Sequence, residues 1–154
     1  MMCGVAGAGK TTHARRLAEQ GYVRLSIDEE IWRRFRRDAA EFDPDEYERH
    51  KATAARTLRT ELARLIRAGR PVVLDESFWR RATRERYKEL IDRLGGRWEL
   101  VYLKADRATL TRRLAVRNAT EGANSVTVST ELLDRYLDGF EEPVGEGERV
   151  VVAQ

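Results

Sequence analysis

Short apolar runs and longer amphipathic stretches alternate along the chain, and this spacing predicts a sheet covered by helices. The five runs expected as strands are residues 1–4, 22–27, 71–74, 98–103 and 149–153. Helical periodicity is expected over residues 10–20, 28–35, 44–68, 81–94, 108–118 and 129–140. Strands that alternate with helices in this way form parallel sheets. The predicted fold class is therefore α/β, with one three-layer α/β/α domain over residues 1–154 and a parallel five-stranded sheet.

Helix-starting and helix-stopping residues stand at several predicted boundaries. Pro44 opens the longest helix, and Gly69 together with Pro71 ends it. Asp28 is expected to cap the helix after the second strand. Only three residues precede Gly4, whereas strands average about five or six residues. The first strand is therefore expected either to be unusually short or to start upstream of Met1.

A glycine-rich segment directly follows the first predicted strand. It comprises Gly4, Val5, Ala6, Gly7, Ala8, Gly9, Lys10 and Thr11, with Thr12 next. This order fits the phosphate-binding pattern of glycine, four residues and Gly-Lys-Thr, so a P-loop NTPase fold is predicted. Glycines let backbone N–H groups approach phosphate oxygens, and the helix that follows presents its N-terminus to an anion. Lys10 is expected at the β- and γ-phosphates of ATP, Thr11 at Mg²⁺ and Thr12 at the α-phosphate.

Two carboxylates follow predicted strands, at the sheet edge where ligands bind in open α/β folds. Asp75 comes after Val-Val-Leu and is expected near Mg²⁺ together with Thr11. Asp28 comes after Leu-Ser-Ile and is expected to accept the proton of an attacking hydroxyl. A purely capping role is the competing explanation for Asp28. Glu29, Glu30 and Glu76 are weaker candidates for these two roles.

Arginines cluster before a polar loop in the last third of the chain. Arg113 and Arg117 are four residues apart and share a helix face with each other. A segment of about residues 112–128 is expected to close over the nucleotide as a lid. Arg113 and Arg117 would then contact its phosphates, and Arg117 would stabilise the charge of the transition state. A solvated arginine face is the alternative, and it applies to Arg112 most of all.

Composition narrows the class of protein without identifying a substrate. The 154 residues carry a net charge of only +3, so no general nucleic-acid-binding surface is indicated. Cys3 is the only cysteine, which rules out an intrachain disulfide. No apolar run is long enough for a membrane span or a signal peptide. A cytoplasmic location without membrane partners is expected. The sequence does not indicate an oligomeric state.

Taken together, these motifs resemble the P-loop kinases of the zeta-toxin, antibiotic phosphotransferase, gluconate kinase and polynucleotide kinase group. The matching segments are residues 4–12, 25–28, 72–75 with Phe78 and Arg81, 113–118, and 140–143. The resemblance implies that Asp28 activates the acceptor hydroxyl and that Arg117 contacts the transferring phosphate. It also implies that residues 140–144 lie near the adenine. Glu121 departs from the group because it adds an acid to a loop that often carries bases.

Aromatic and basic residues after the second and third strands are candidate walls of an acceptor site. The aromatic candidates are Trp32, Phe35, Phe42, Tyr47, Phe78 and Trp79, and the basic ones are Arg33, Arg34, Arg36 and Arg37. Phe78 and Trp79 are the strongest because they lie next to Asp75. We expect acceptor contacts from Asp28, Arg33, Phe78, Trp79 and Arg81. Packing of a helical cap explains most of the other aromatic residues equally well.

The leading functional hypothesis is an ATP-dependent, Mg²⁺-requiring kinase. It would transfer the γ-phosphate to a hydroxyl of a small molecule such as an antibiotic, sugar or nucleoside-like compound. A polynucleotide 5′-hydroxyl kinase is the second hypothesis, with nucleic acid as the partner. A nucleotide-dependent binding module or ATPase without a phosphoacceptor is the third.

Overall fold

The chain alternates strands and helices, as the hydrophobic pattern predicts. The computed structural model describes residues 1–37, 41–119 and 128–152. The elements are β1 (Met2–Cys3), α1 (Lys10–Glu19), β2 (Val23–Leu25), α2 (Ile27–Phe35), α3 (Pro44–Arg67), β3 (Val72–Leu74), α4 (Arg81–Arg93), β4 (Leu100–Lys104), α5 (Arg107–Asn118), α6 (Thr130–Gly139) and β5 (Glu148–Val152). The α/β class is confirmed. Glu121, Ala153 and the centre of the expected lid, residues 120–127, lie outside the described residues.

All strand pairs are parallel, but the strands do not form the single five-stranded ladder that was predicted. One sheet has the order β1-β4-β5, and β2 pairs with β3 in a second sheet. The reason is the length of β1, which has only two residues before the glycine loop begins. The end of β1 contacts the segment after β3: the Gly4 amide donates to the Ser77 carbonyl at 3.2 Å, and the Cys3 thiol donates to the Phe78 carbonyl at 3.5 Å.

Alternate residues of the strands face two separate apolar cores. Cys3, Leu74 and Leu100 pack with side chains of α3 and α4, including Leu62 and Ile91. Their neighbours Met2, Val73 and Val101 pack with α1, α5 and α6. Because successive side chains of a strand point to opposite faces, one set of strands separates two helical layers. This arrangement gives the three layers and leaves the carboxyl ends of β1, β2 and β3 open at one edge.

The N-cap of helix α2 lies two residues earlier than the sequence predicts. Ser26, not Asp28, is the N-cap, and its hydroxyl accepts a bond from the Glu29 amide at 3.5 Å. Asp28 therefore lies in the first turn of α2, where a carboxylate interacts favourably with the helix dipole. None of the helices in the described ranges is both long enough and apolar enough to cross a bilayer.

Helices α2 and α3 pack on each other and form a small cap with its own core. Ile31, Phe42 and Ala54 are buried there. Phe35 meets Phe42 edge to face and packs at a tilt against His50, with a centroid distance of 3.9 Å to the histidine ring. Phe35 and Phe42 are thus packing residues of the cap, as the competing explanation held.

Candidate functional site

The glycine loop leaves the head of α1 open to an anion. Gly9 is the N-cap of α1 with a φ of 99°, and α1 has no side-chain cap among the described residues. Its leading N–H groups are consequently available to a phosphate. Gly4, with a φ of 145°, starts the loop so close to β4 that an added Cβ would lie 2.7 Å from the Leu103 carbonyl oxygen. Only glycine fits there, which explains the spacing of the motif.

Lys10 is the first residue of α1, and its side chain folds back over the loop. The ammonium group donates to the Val5 carbonyl oxygen at 2.9 Å. Burial lowers the pKa of Lys10 to about 8, while Asp75 and Asp28 act in the opposite direction and Arg117 adds to the lowering. All four of these groups line the same cavity. A phosphate in the loop would supply the negative charge that a buried ammonium lacks.

Thr11 and Asp75 lie together at the junction of α1 and β3. The Thr11 hydroxyl donates to Asp75 Oδ1 at 3.4 Å. The other oxygen, Oδ2, accepts two bonds from the Arg24 guanidinium, at 2.8 and 2.6 Å from Nε and Nη2. Arg24 also contacts Glu29. Asp75 is therefore buried but paired, with one oxygen facing the phosphate loop.

These oxygen ligands fit a magnesium ion that accompanies a nucleotide. Mg²⁺ prefers hard oxygen ligands and commonly takes only one or two from the protein, with the rest from phosphates and water. Thr11 and Asp75 supply that number. The residues that the structure describes contain no cluster of three or more acidic, histidine or cysteine ligands. The donor set is thus suited to a nucleotide-bound cation and not to a cation held by protein groups alone.

Asp28 faces the loop from the first turn of α2. Its Oδ1 accepts a bond from the Tyr47 hydroxyl at 3.3 Å. Burial, followed by the charge of Asp28, raises the pKa of Tyr47 far above its ordinary value, so the phenol stays protonated and donates. Tyr47 thereby orients the Asp28 carboxylate. Asp28 itself is exposed to the cavity.

Glu76 follows Asp75 and brings a second carboxylate to the same side. Its Oε1 is buried and has no hydrogen-bond partner within the described ranges. Burial and then the charge of Asp28 raise the pKa of Glu76 to about 7. A buried polar atom without a hydrogen-bond partner destabilises the folded protein. Such atoms, and carboxylates with a shifted pKa, recur in ligand-binding sites.

Two arginines of α5 reach the glycine loop from the opposite direction. Arg113 donates from Nη1 to the Ala8 carbonyl oxygen at 3.3 Å. Arg117 lies one helical turn further on, and burial lowers its pKa, with the neighbouring Tyr136 opposing that shift. Together with Lys10 they concentrate positive charge around the loop.

The turn after β3 is held in an unusual conformation. Phe78 has a φ of 46°, which non-glycine residues seldom adopt. Arg84, fully buried, donates to the carbonyl oxygens of Phe78 and Trp79 at 2.8 and 3.2 Å. Arg84 also forms two bonds of 2.7 and 2.6 Å with the Glu146 carboxylate. This buried ion pair fixes the position of Trp79.

One cavity of about 1180 Å³ joins most of these groups. Its volume exceeds that of the usual single-ligand pocket, about 300–1,000 Å³. The expected site residues that line it are Gly7, Ala8, Gly9, Lys10, Thr11, Thr12, Asp28, Asp75, Phe78, Trp79, Arg113 and Arg117. The cavity therefore brings together the phosphate loop, both strand-end carboxylates and the aromatic pair.

Three expected site residues are not part of the cavity wall. Gly4 is buried beneath the loop, where it shapes the backbone. Arg33 points away and forms two bonds of 3.0 Å with Glu30 on its own helix. Arg81 approaches Glu146 at 3.9 Å. The expectation that Arg33 and Arg81 contact the acceptor is not supported by this placement.

Sequence reasoning missed several residues that the fold brings to the site. They are Arg24, Ser26, Tyr136 and the pair Arg84–Glu146, whereas Glu76 was only a weak candidate and Tyr47 only one of several aromatics. Arg24 and Asp75 are 51 positions apart, and Arg84 and Glu146 are 62 apart. No local spacing signals such contacts. The only available hint was a charged residue inside a predicted strand.

Comparison with known proteins gives a consistent picture of the fold. The family model described as an AAA domain matches residues 1–143. A gluconokinase from Sinorhizobium meliloti 1021 is 21% identical, with a TM-score of 0.65 over 98% of this chain and 79% of that one. A candidate kinase from Chloroflexus aurantiacus is also 21% identical, with a TM-score of 0.73 over 98% and 84%.

A third similar structure was determined with a nucleotide analogue. It is the Mycobacterium tuberculosis APS kinase in complex with AMPPNP and APS, which is 18% identical, with a TM-score of 0.59 over 98% of this chain and 85% of that one. Among curated protein sequences, none matches the chain significantly.

Proposed function

The chain belongs to the AAA domain family, and we propose that it is an ATP-dependent kinase that phosphorylates a hydroxyl group of a small molecule. The observation that carries this proposal is the shared cavity. A phosphate loop with an open helix N-terminus and the Asp28 carboxylate, which no cation bonds within the described ranges, line the same cavity. A simple ATPase could use such a carboxylate to activate water, but it would need no aromatic wall beyond the phosphates.

The loop, Lys10 and the two α5 arginines would hold the triphosphate. Thr11 and Asp75 would hold Mg²⁺, which when bound neutralises phosphate charge and polarises the phosphoryl group. Asp28 would orient the acceptor hydroxyl and receive its proton. The hydroxyl oxygen bonds to the γ-phosphorus as the bond from that phosphorus to the bridging oxygen breaks, and the bond's electron pair leaves with ADP. Arg117 would stabilise the charge that develops on the transferring phosphoryl group.

The arginines between positions 33 and 37, in α2 and just after it, offer little support for a polynucleotide acceptor. Arg33 and Arg34 both bond to the Glu30 carboxylate, at 3.0 and 2.6 Å. Arg37 lies 3.9 Å from Glu46. Intramolecular ion pairs thus already occupy much of the charge that a nucleic-acid backbone would need.

A phosphate-transfer screen tests the proposal. Purified protein is incubated with Mg²⁺-ATP and a panel of sugars, amino sugars, nucleosides, aminoglycosides and 5′-hydroxyl oligonucleotides, and phosphorylated products are detected by mass spectrometry. Transfer to a small-molecule hydroxyl supports the proposal. ATP hydrolysis that no acceptor accelerates would favour an ATPase, and transfer confined to oligonucleotides would favour a polynucleotide kinase.

Two variants assign the roles within the cavity. Lys10→Ala is expected to abolish turnover because it removes the phosphate-binding ammonium. Asp28→Asn is expected to retain ATP binding but to reduce transfer by about two orders of magnitude or more. Asp138→Asn, an exposed aspartate of α6 outside the cavity wall, is the matched control. Full transfer activity in Asp28→Asn would remove Asp28 from the mechanism.

A further inference from the structure

The two ends of the cavity differ in charge. Lys10, Arg113 and Arg117 surround the phosphate loop. The end where the acceptor would bind is lined by four carboxylates, Asp28, Glu48, Asp75 and Glu76, and by three basic side chains, Arg24, Lys51 and Arg80. A phosphate-binding end needs positive charge. Phosphate binding does not explain the carboxylates at the other end, so these carboxylates indicate the chemistry of the second ligand.

Most of the charged groups at the acceptor end are already paired. Asp75 accepts two bonds from Arg24, and Glu48 accepts a bond of 3.3 Å from Lys51. Asp28 receives only the neutral Tyr47 hydroxyl at 3.3 Å. Two carboxylates, Asp28 and Glu76, therefore remain without a bonded cation among the described residues.

Glu76 is the more informative of these two carboxylates. Its Oε1 is buried without a hydrogen-bond partner within the described ranges, and Glu76 shares the cavity with the Asp28 carboxylate. Lys51 also lines the cavity, but it bonds to Glu48. A ligand that brings a cationic hydrogen-bond donor would satisfy the buried oxygen and relieve the repulsion.

An aromatic wall borders the same end of the cavity. Trp79 and Tyr136 meet edge to face, with their ring centroids 5.0 Å apart, and both line the cavity together with Tyr47. Aromatic faces attract ammonium groups and pack against the apolar faces of sugar-like rings.

We propose that the phosphoacceptor carries an ammonium group as well as a hydroxyl, as amino sugars and amino alcohols do. The ammonium group binds Glu76 against the aromatic wall, and the hydroxyl lies at Asp28. This inference rests on the proposed kinase function for the hydroxyl, but the ammonium site makes a prediction about binding that does not depend on transfer. An acceptor with a carboxylate, such as gluconate, would be repelled by Asp28 and Glu76.

Calorimetric titration of matched compounds tests the ammonium site. The pairs are D-glucosamine with D-glucose, D-galactosamine with D-galactose, and serinol with glycerol, each in the presence of a non-hydrolysable ATP analogue and at a pH where the amines are protonated. D-gluconate is the anionic probe. The amine-bearing member of at least one pair is expected to bind at least about tenfold more tightly than its counterpart.

Two variants connect that preference to one side chain. Glu76→Gln keeps the shape of the side chain but removes its charge, so the preference for amines is expected to disappear. Glu89→Gln changes an exposed glutamate of α4 outside the cavity and is expected to retain the preference. The wild-type comparison is decisive by itself even where Glu76→Gln does not fold.

The results separate this inference from the proposed function. Equal or weaker binding of every amine, or an undiminished preference in folded Glu76→Gln, would overturn the ammonium site. Transfer of phosphate to neutral sugars without any amine preference would leave the kinase standing and remove the inference. Amine preference in binding without any phosphate transfer would support the ammonium site and count against the kinase.

Discussion

The buried ion pair between Arg84 and Glu146 leads to a quantitative prediction about stability. Glu146 and Arg84 have side chains that are 1% and 0% exposed, and two bonds of 2.7 and 2.6 Å join them. Lys88 lies 3.7 Å from the same carboxylate. Glu146→Gln would leave the guanidinium buried without its counter-charge, while the amide oxygen could accept only part of the original bonding.

Removing one partner of a buried ion pair costs about 3–5 kcal/mol. Glutamine keeps an amide oxygen that can accept a hydrogen bond. We therefore expect Glu146→Gln to lower the free energy of unfolding by about 3 kcal/mol, the lower end of this range. For a chain of this length each kcal/mol lowers the melting temperature by about 2–4 °C, so a decrease of about 6–12 °C is expected. Urea denaturation followed by circular dichroism measures the free energy of unfolding directly.

An exposed ion pair provides the control for this measurement. Glu142 accepts a bond of 2.6 Å from Lys104, but both side chains are about half exposed, at 44% and 52%. Surface ion pairs contribute less than about 1 kcal/mol to stability, so Glu142→Gln is expected to change the free energy of unfolding very little. If Glu146→Gln cost no more than Glu142→Gln, the reasoning about the buried pair would be refuted.

The same pair makes stability depend on pH. Arg84, with a smaller contribution from Lys88, holds the pKa of Glu146 below its ordinary value of 4.5. A lowered folded-state pKa gives stabilisation that is present above the unfolded-state pKa and is lost as the pH falls through the folded-state pKa. Wild-type protein is therefore expected to lose stability below about pH 4.5 more steeply than Glu146→Gln. Parallel slopes would contradict this assignment.

Three further substitutions test the loop, the α2 cap and the aromatic wall. Gly4→Ala places a Cβ 2.7 Å from the Leu103 carbonyl oxygen in a strained backbone conformation, so it should cost about 1–3 kcal/mol and weaken ATP binding, as urea denaturation and titration would show. Ser26→Ala removes the N-cap of α2 and should cost about 1 kcal/mol, measured in the same denaturation assay. Trp79→Ala should raise the KM for the acceptor in steady-state assays while leaving ATP affinity unchanged; an equal loss of both would place Trp79 at the nucleotide.

The sequence reading succeeded where structure depends on neighbouring residues. The phosphate loop is contiguous, so its spacing alone placed Gly9 at the head of α1. The order of strands and helices followed from periodicity for the same reason. The position of Asp75 after a buried strand was also readable, because a continuous apolar run marks β3.

Prediction from the sequence failed where contacts connect distant positions or where two local signals compete. Ser26 and Asp28 can both cap a helix, and the extended backbone of Ser26 after β2 decided between them. The two-residue β1 could not bridge both neighbouring ladders, so the sheet is divided. The pairing of Arg33 with Glu30 on the same helix was not foreseen, because the sequence alone does not show which neighbour an arginine bonds to.

Nucleotide titration tests the central claim most directly. Isothermal calorimetry of the wild-type protein with Mg²⁺-ATP is expected to show saturable binding at one site per chain. Lys10→Ala should weaken that binding by at least about tenfold, because a charged hydrogen bond to the phosphates is lost. Absence of saturable binding of any nucleoside triphosphate, or undiminished affinity in Lys10→Ala, would contradict the assignment of this loop as the phosphate site.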